Sequence, residues 1–236
     1  MSQKYTRLYP DGIALSKYGK SFRRLVNSIA TQGLSYEQHT PTGSSAYYVC
    51  TGIGTADTTN IVIADTIDGI LVTQIAGSAF SMKYLTSLVI PDSVARIGEY
   101  AFQHCSFSSV SIPSSVTYIG DHAFSNNAAL LSVNIYSNNL TEIDSGVFYR
   151  CSRLSSIVIP EGVSSIGLTA FSQCTSLKDV VIPSSVTTID SYAFSECSSL
   201  KTITFMGTRS QWDNISFGTD WDKDAGSYTV NCVDSN

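Results

Sequence analysis

The sequence predicts a repeat solenoid, with each repeat contributing a short parallel strand and a tight return. Two observations carry the prediction. A small residue followed by Phe recurs as Phe80, Phe102, Phe124, Phe148, Phe171 and Phe194, in steps of 22 to 24 residues. Around each Phe the apolar positions also recur. An Ile lies five residues before it (Ile75, Ile97, Ile119, Ile143, Ile166, Ile189), with a Val or Leu three residues earlier still. Five or six residues after the Phe comes Leu85, Phe107, Leu130, Leu154, Leu177 or Leu200. A strand-like triplet then ends at Ile90, Ile112, Ile135, Ile159, Ile182 or Phe205. Self-similarity at a period of 20 to 50 residues is the signature of a solenoid, propeller or array. A single copy cannot bury its apolar face; stacked copies can, provided the two ends are capped.

One copy, Leu130-x-x-Val133-x-Ile135-x-x-Asn138-x-Leu140, fits the leucine-rich-repeat spacing L-x-x-L-x-L-x-x-N-x-L. The other copies replace the Asn region with Ile-Pro-x-x-Val, as in Ile159 to Val163 and Ile182 to Val186. That variant, with Ala-Phe and Cys behind it, resembles the BspA-like leucine-rich repeats. The resemblance covers roughly residues 46 to 236 and includes the closing segment from Phe205 to Cys232. It implies a right-handed leucine-rich-repeat solenoid, α/β or mostly β, with about six repeats of 22 to 24 residues.

The expected organisation is a basic N-terminal arm and linker over residues 1–44, a β-rich cap over 45–62, repeats over 63–205, and a C-terminal cap over 206–236. Residues 1–30 carry six basic side chains against Asp11 alone, whereas the remaining 206 carry 8 basic and 18 acidic ones. Such asymmetry marks an interaction segment. Leu15, Tyr18, Phe22, Leu25 and Ile29 step by three and four, the seam of an amphipathic helix. Lys17, Lys20, Phe22, Arg23 and Arg24 are the candidate assembly residues of this arm. It could cap the first repeat, dock the solenoid onto a larger assembly, or join copies into a homo-oligomer. Nucleic-acid or anionic-membrane binding is the weaker alternative, because so few charges make a small footprint. Gln38 to Ser45 reads as a linker, followed by strands at Ala46–Cys50 and Asn60–Ile63 around a Gly-rich turn. Residues 63–74 open the array with a degenerate copy, Ala64 standing where Pro is usual.

Four cysteines, Cys105, Cys151, Cys174 and Cys197, lie three residues after a marker Phe, and Asn127 fills that slot in the third copy. A thiol at a fixed repeat position reads as a core ladder. Adjacent turns bring Cα atoms about 4.8 Å apart, so a Cys174–Cys197 disulfide is geometrically allowed. Cys50 and Cys232 belong to opposite ends and should not pair.

In each x-Leu-x-Ile strand alternate residues face outward. The outward rows include Ser87, Val89, Ser111, Asn134, Tyr136, Val158, Asp179, Val181 and Thr204, and these are the candidate partner-binding residues. The same rows extend to Pro91, Pro113, Pro160 and Pro183. The face is small, smooth and nearly uncharged. The Ala-Phe-x-x-Cys portion should form a short helix or tight turn on the other side, where Tyr100, His122, Arg150 and Tyr192 project.

Catalytic signatures are missing: no G-x-S-x-G, H-E-x-x-H, phosphate-loop or G-x-G-x-x-G pattern occurs. His39, His104 and His122 are spaced for the surface rather than for a metal. Asp220, Asp222 and Asp224 before Gly226 resemble a calcium loop weakly. Gly comes one place late and the twelfth position is Asn231 instead of Glu, so a solvated acidic turn is the plainer reading. No cofactor is expected. The start, Met1 to Gly12, has no apolar h-region, and no run of 18 apolar residues exists. The resemblance implies a non-enzymatic adhesion or protein-binding module at the cell surface, facing a host or matrix protein. The alternative is a structural, decoration or receptor-binding component of a virion (phage) or other large assembly, docked through the basic arm.

Overall fold

The computed structural model describes residues 30–233. The amphipathic seam from Leu15 to Ile29 and the arm residues Lys17, Lys20, Phe22, Arg23 and Arg24 lie outside the described residues.

The described chain winds into a β-solenoid whose two strand rows run along its length. The longer strands are Asn60–Val62, Ser87–Val89, Ser109–Ile112, Ser132–Ile135, Ser156–Val158, Asp179–Ile182, Thr202–Phe205 and Thr229–Cys232. They pair in parallel and in repeat register within three sheets, as in Val158↔Val181 and Val181↔Thr204, with breaks between Ser87–Val89 and Ser109–Ile112 and between Ser132–Ile135 and Ser156–Val158. The second row consists of two-residue strands ending at Ile97, Ile119, Ile143, Ile166 and Ile189, closed by Ser216–Phe217. It is interrupted between Tyr118–Ile119 and Glu142–Ile143. That copy has the 24-residue step, and its Ile135 to Leu140 turn is one residue longer than the Ile-Pro-x-x-Val turns. In those shorter turns the Pro carbonyl accepts from the Val N–H three residues on, as from Val94 at 3.2 Å and Val116 at 3.1 Å. Pro91, Pro113, Pro160 and Pro183 are all buried. This corrects the expectation that they extend the outward rows, because the turn folds each ring back under the strand.

The core is one continuous column. All six marker Phe side chains are fully buried. Their rings stack in sequence with centroids 5.2 to 5.8 Å apart. The segment around each Phe is a chain of turns, not a helix; among the described residues the α-helix is Arg209–Asp213 in the C-terminal cap. The reason lies in the backbone. In each copy the residues two before and two after the Phe take left-handed φ. Tyr100 and His104 have φ of 56° and 54°, and Tyr192 and Glu196 both have 58°. Left-handed backbone costs an ordinary residue roughly 1–2 kcal/mol. Here it turns the N–H along the solenoid axis toward the next copy. Tyr100 N–H donates to Asp121 O at 2.9 Å, and Gln173 N–H to Ser195 O at 2.9 Å. The marker Phe N–H does the same, as from Phe171 to Ala193 O at 2.8 Å. Each such bond contributes roughly 0.5–1.5 kcal/mol net and leaves no buried N–H unmade, which offsets the strain.

The cysteines serve this same turn. Cys105, Cys151, Cys174 and Cys197 each donate to the carbonyl of the preceding copy's Phe, at 3.2 to 3.5 Å. Asn127 takes over in the third copy and donates to Phe102 O at 2.9 Å. All six cysteines are free thiols, so no Cys174–Cys197 bond forms.

At the N-terminal end Ser35–His39 pairs antiparallel with Tyr47–Gly52. Gln38 and His39, read as linker from sequence, therefore belong to a strand, with residues 40–46 as its connecting loop. At the other end Trp212 is buried and meets Phe205 and Phe217, each at 5.4 Å between centroids, so aromatic rings cover the last rung. A capping box between Thr208 and Gln211 starts the short helix that presents Trp212.

Candidate binding surface

Two lines of side chains leave the solenoid in an order the repeat imposes. The first is the outward side of the longer strands. Val89, Ser111, Asn134, Val158, Val181 and Thr204 occupy equivalent places, with Ser111 opposite Asn134 and Val158 opposite Val181 opposite Thr204. Val158 is 60% exposed, the most open apolar side chain of the row. Asn134 and Asp179 are exposed; Ser87, Val89, Ser111, Tyr136, Val181 and Thr204 are half-buried. Asp179 is the single charge among these positions.

The second line was not assembled from sequence, although the signal was there as a fixed offset of two after the marker Phe. His104, Asn126, Arg150, Gln173 and Glu196 fill that slot in successive copies, all with left-handed φ. Arg150 Nε donates to Gln173 Oε1 at 2.6 Å, and Gln173 Nε2 donates to Glu196 Oε1 at 3.0 Å. They edge a groove of about 410 Å3 floored by small residues such as Ser152 and Thr175. Tyr100, His122 and Tyr192, expected to project from this side, lie on the companion slot two before the Phe. The Tyr100 and His122 rings stack at 5.2 Å. Gly146 sits next in that line, where a Cβ would lie 2.2 Å from the His122 ring.

Asp220, Asp222 and Asp224 are spread along the closing turn. Among the described residues no group of three or more His, Cys, Asp or Glu is placed to hold a metal. The repeat explains the spacing. Phe194 N–H donates to Trp221 O as Phe171 N–H does to Ala193 O, which puts Asp222 in the slot of a marker Phe. Asp220 and Asp224 then occupy the two left-handed positions, with φ of 52° and 57°. Asp is among the residues that tolerate this backbone. Asp222 accepts from the Tyr228 hydroxyl at 2.5 Å, and Asp220 pairs with Lys223 at 3.6 Å, so the carboxylates are engaged separately.

The thiols offer no reactive centre in the core. Burial pushes Cys105 up to about 11 and Cys50, Cys151 and Cys197 up to about 12, and Cys174 well above its ordinary value. A thiol held protonated is a poor nucleophile. His39 lies at the N-terminal hairpin, stacked on Tyr47 at 5.4 Å.

In-register parallel strands, a Leu/Ile/Phe core column and an open repeated face define a leucine-rich-repeat solenoid. The family of BspA type leucine rich repeat regions matches residues 73–201 in six copies. The chain belongs to that BspA-type leucine-rich-repeat family. Solved structures agree with the fold. A leucine rich cell surface protein from Faecalibacterium prausnitzii is 34% identical, with a TM-score of 0.58 over 79% of this chain and 41% of its own. A leucine-rich repeat protein from Eubacterium ventriosum, 24% identical, reaches 0.64 over 78% of this chain and 49% of its own. A T. pallidum leucine rich repeat protein is 26% identical with a TM-score of 0.51, over 85% of this chain and 84% of its own. The chain thus spans less than half the length of the first two. No curated protein matches it significantly. The family points to a protein-binding role, and its members are in general non-enzymatic. Among the described residues no helix is long and apolar enough to cross a membrane.

Proposed function

We propose that this chain is a non-enzymatic adhesion module that binds a host or matrix protein through the outward side of its longer strands. The observation that carries the reading is the uncharged row centred on Val158, open by 60% and paired in register with Val181, with Asn134 at the equivalent place one copy before. Flat apolar centres with a polar margin suit protein partners, whose interfaces deplete charge at the middle. A rigid array presents such a face without reordering, which lowers the entropic cost of association. The description of the Faecalibacterium relative as a cell surface protein is consistent with a surface location.

The test is biolayer interferometry of the full chain against immobilised extracellular-matrix proteins, repeated with Val158→Asp and Asn134→Arg. Both positions are exposed, so the variants should melt with the parent. Binding by the parent that weakens at least tenfold in both variants supports the reading. No binding to any matrix protein, or binding that both variants retain, overturns it.

A further inference from the structure

The groove beside the marker-Phe turns is separate from the strand face and carries different chemistry. We infer that it is a carbohydrate-binding site selective for glycans with a carboxylate, held by Arg150 and flanked by Asn126, Gln173 and Glu196.

The edge of the groove is a line of planar polar groups, one per copy: imidazole, amide, guanidinium, amide and carboxylate at His104, Asn126, Arg150, Gln173 and Glu196. Parallel pairing spaces successive copies by about 4.8 Å. Adjacent hydroxyls of a sugar ring both donate and accept, and planar side chains that do the same are their natural partners. The Arg150–Gln173–Glu196 chain of hydrogen bonds holds three of these groups in one orientation, so little rotamer freedom is left to lose on binding. The floor is made of short side chains such as Ser152 and Thr175, and Thr175 is already occupied by Ser152 O at 3.3 Å. The groove therefore offers no aliphatic or aromatic pocket to anchor a peptide side chain, which a protein partner would need.

Charge selects within the glycans. Nε of Arg150 is used by Gln173, and its guanidinium lies 5.0 Å from the Tyr149 ring. Among the described residues no carboxylate forms an ion pair with it. Arg150 lines the groove with its two terminal nitrogens outside the Gln173 bond, and a guanidinium can hold a carboxylate in bidentate fashion. Glu196, two copies away, sits where a neutral ring can donate its hydroxyls and where a second acid would be repelled. The predicted ligand is accordingly an oligosaccharide with one uronate near Arg150.

Isothermal titration of the full chain with an aldotriouronic acid, a trisaccharide with a single uronate, and with neutral xylotriose as the control tests this. Arg150→Asn is the central variant, because Asn keeps left-handed backbone accessible. Gln173→Ala removes the link of the hydrogen-bonded chain, and Val158→Asp leaves the groove untouched. The expected result is binding of the aldotriouronic acid alone, weakened at least tenfold by Arg150→Asn and by a smaller factor by Gln173→Ala, with Val158→Asp unchanged. Thermal melts of each variant within a few degrees of the parent tie any loss to the groove. No binding, equal binding of the neutral sugar, or binding that survives Arg150→Asn overturns the assignment. None of those outcomes touches the matrix-protein reading, whose variants lie on the other face.

Discussion

Gly146→Ala isolates how one copy of the repeat leans on its neighbour. Left-handed backbone by itself is no barrier at this slot, because Ser78, Tyr100, His122, Thr169 and Tyr192 adopt it in the other copies. Gly146 has φ of 60°, so Ala there costs roughly 1–2 kcal/mol. The added Cβ would also lie 2.2 Å from His122 Cε1 and 2.3 Å from Nδ1. The imidazole must move. It stacks on Tyr100 at 5.2 Å and meets the edge of Tyr149 at 6.2 Å, and ring pairs contribute about 0.5–1.5 kcal/mol each. Gly146→Ala should then cost about 2–5 kcal/mol in the parent but only about 1–2 kcal/mol in a His122→Ala background. Urea unfolding of the four proteins gives the coupling directly. If the two changes add to within about 0.5 kcal/mol, as independent sites do, the reasoning fails.

Three further outcomes follow from the same structure. Asp144 has its carboxyl pKa raised, by burial first and by neighbouring Asp121, against a backbone hydrogen bond from Ser145 that lowers it. An acid raised in the folded state adds stability below its unfolded value and loses it as pH rises through the folded value. Asp144→Asn should therefore raise the melting temperature at pH 7, with the gain vanishing below about pH 3.5, where the carboxyl is protonated in both states; a gain that is equal at both pH values would contradict this. A thiol-specific aromatic disulfide at pH 8 should titrate one cysteine quickly in the native protein, half-buried Cys232, and six in denaturant; fast reaction of a second would contradict the sealed ladder. Phe171 stacks on both Phe148 at 5.5 Å and Phe194 at 5.2 Å, while Phe80 ends the row. Both substitutions to Ala should cost roughly 3–5 kcal/mol, Phe171→Ala the more by about 0.5–1.5 kcal/mol for its second ring. Equal losses in chemical unfolding would show that the stacking adds nothing to burial.

Much of the solenoid was legible because its stabilising contacts repeat. Inward Ile, Val and Leu positions recur at fixed offsets, and from Val72 to Ile203 all but the half-buried Ile135 are buried where the offset placed them. Cys105, Cys151, Cys174 and Cys197 read as core for the same reason, although their donation to a Phe carbonyl did not show in the spacing. The left-handed pairs around each Phe were hidden. Tyr, His, Arg, Gln, Glu and Thr fill these slots, and a sequence rule that waits for Gly sees Gly146 and Gly54 but not the pattern. That omission also left the weak likeness of Asp220, Asp222 and Asp224 to a cation loop without its backbone explanation, since two of them fill left-handed slots.

The sequence alone thus determined the period, the strand positions, the buried column and the need for caps, since each rests on local spacing and the burial of apolar surface. Only the tertiary structure decided which way the turns bend, that the prolines tuck inward, and that His104, Asn126, Arg150, Gln173 and Glu196 line one groove. The turns and the groove depend on hydrogen bonds between residues 21 to 27 apart in the chain, as between Asn126 and Tyr149 or Cys151 and Phe124. A side chain's surroundings in a solenoid are set by the copies above and below it, and no window of one copy contains them.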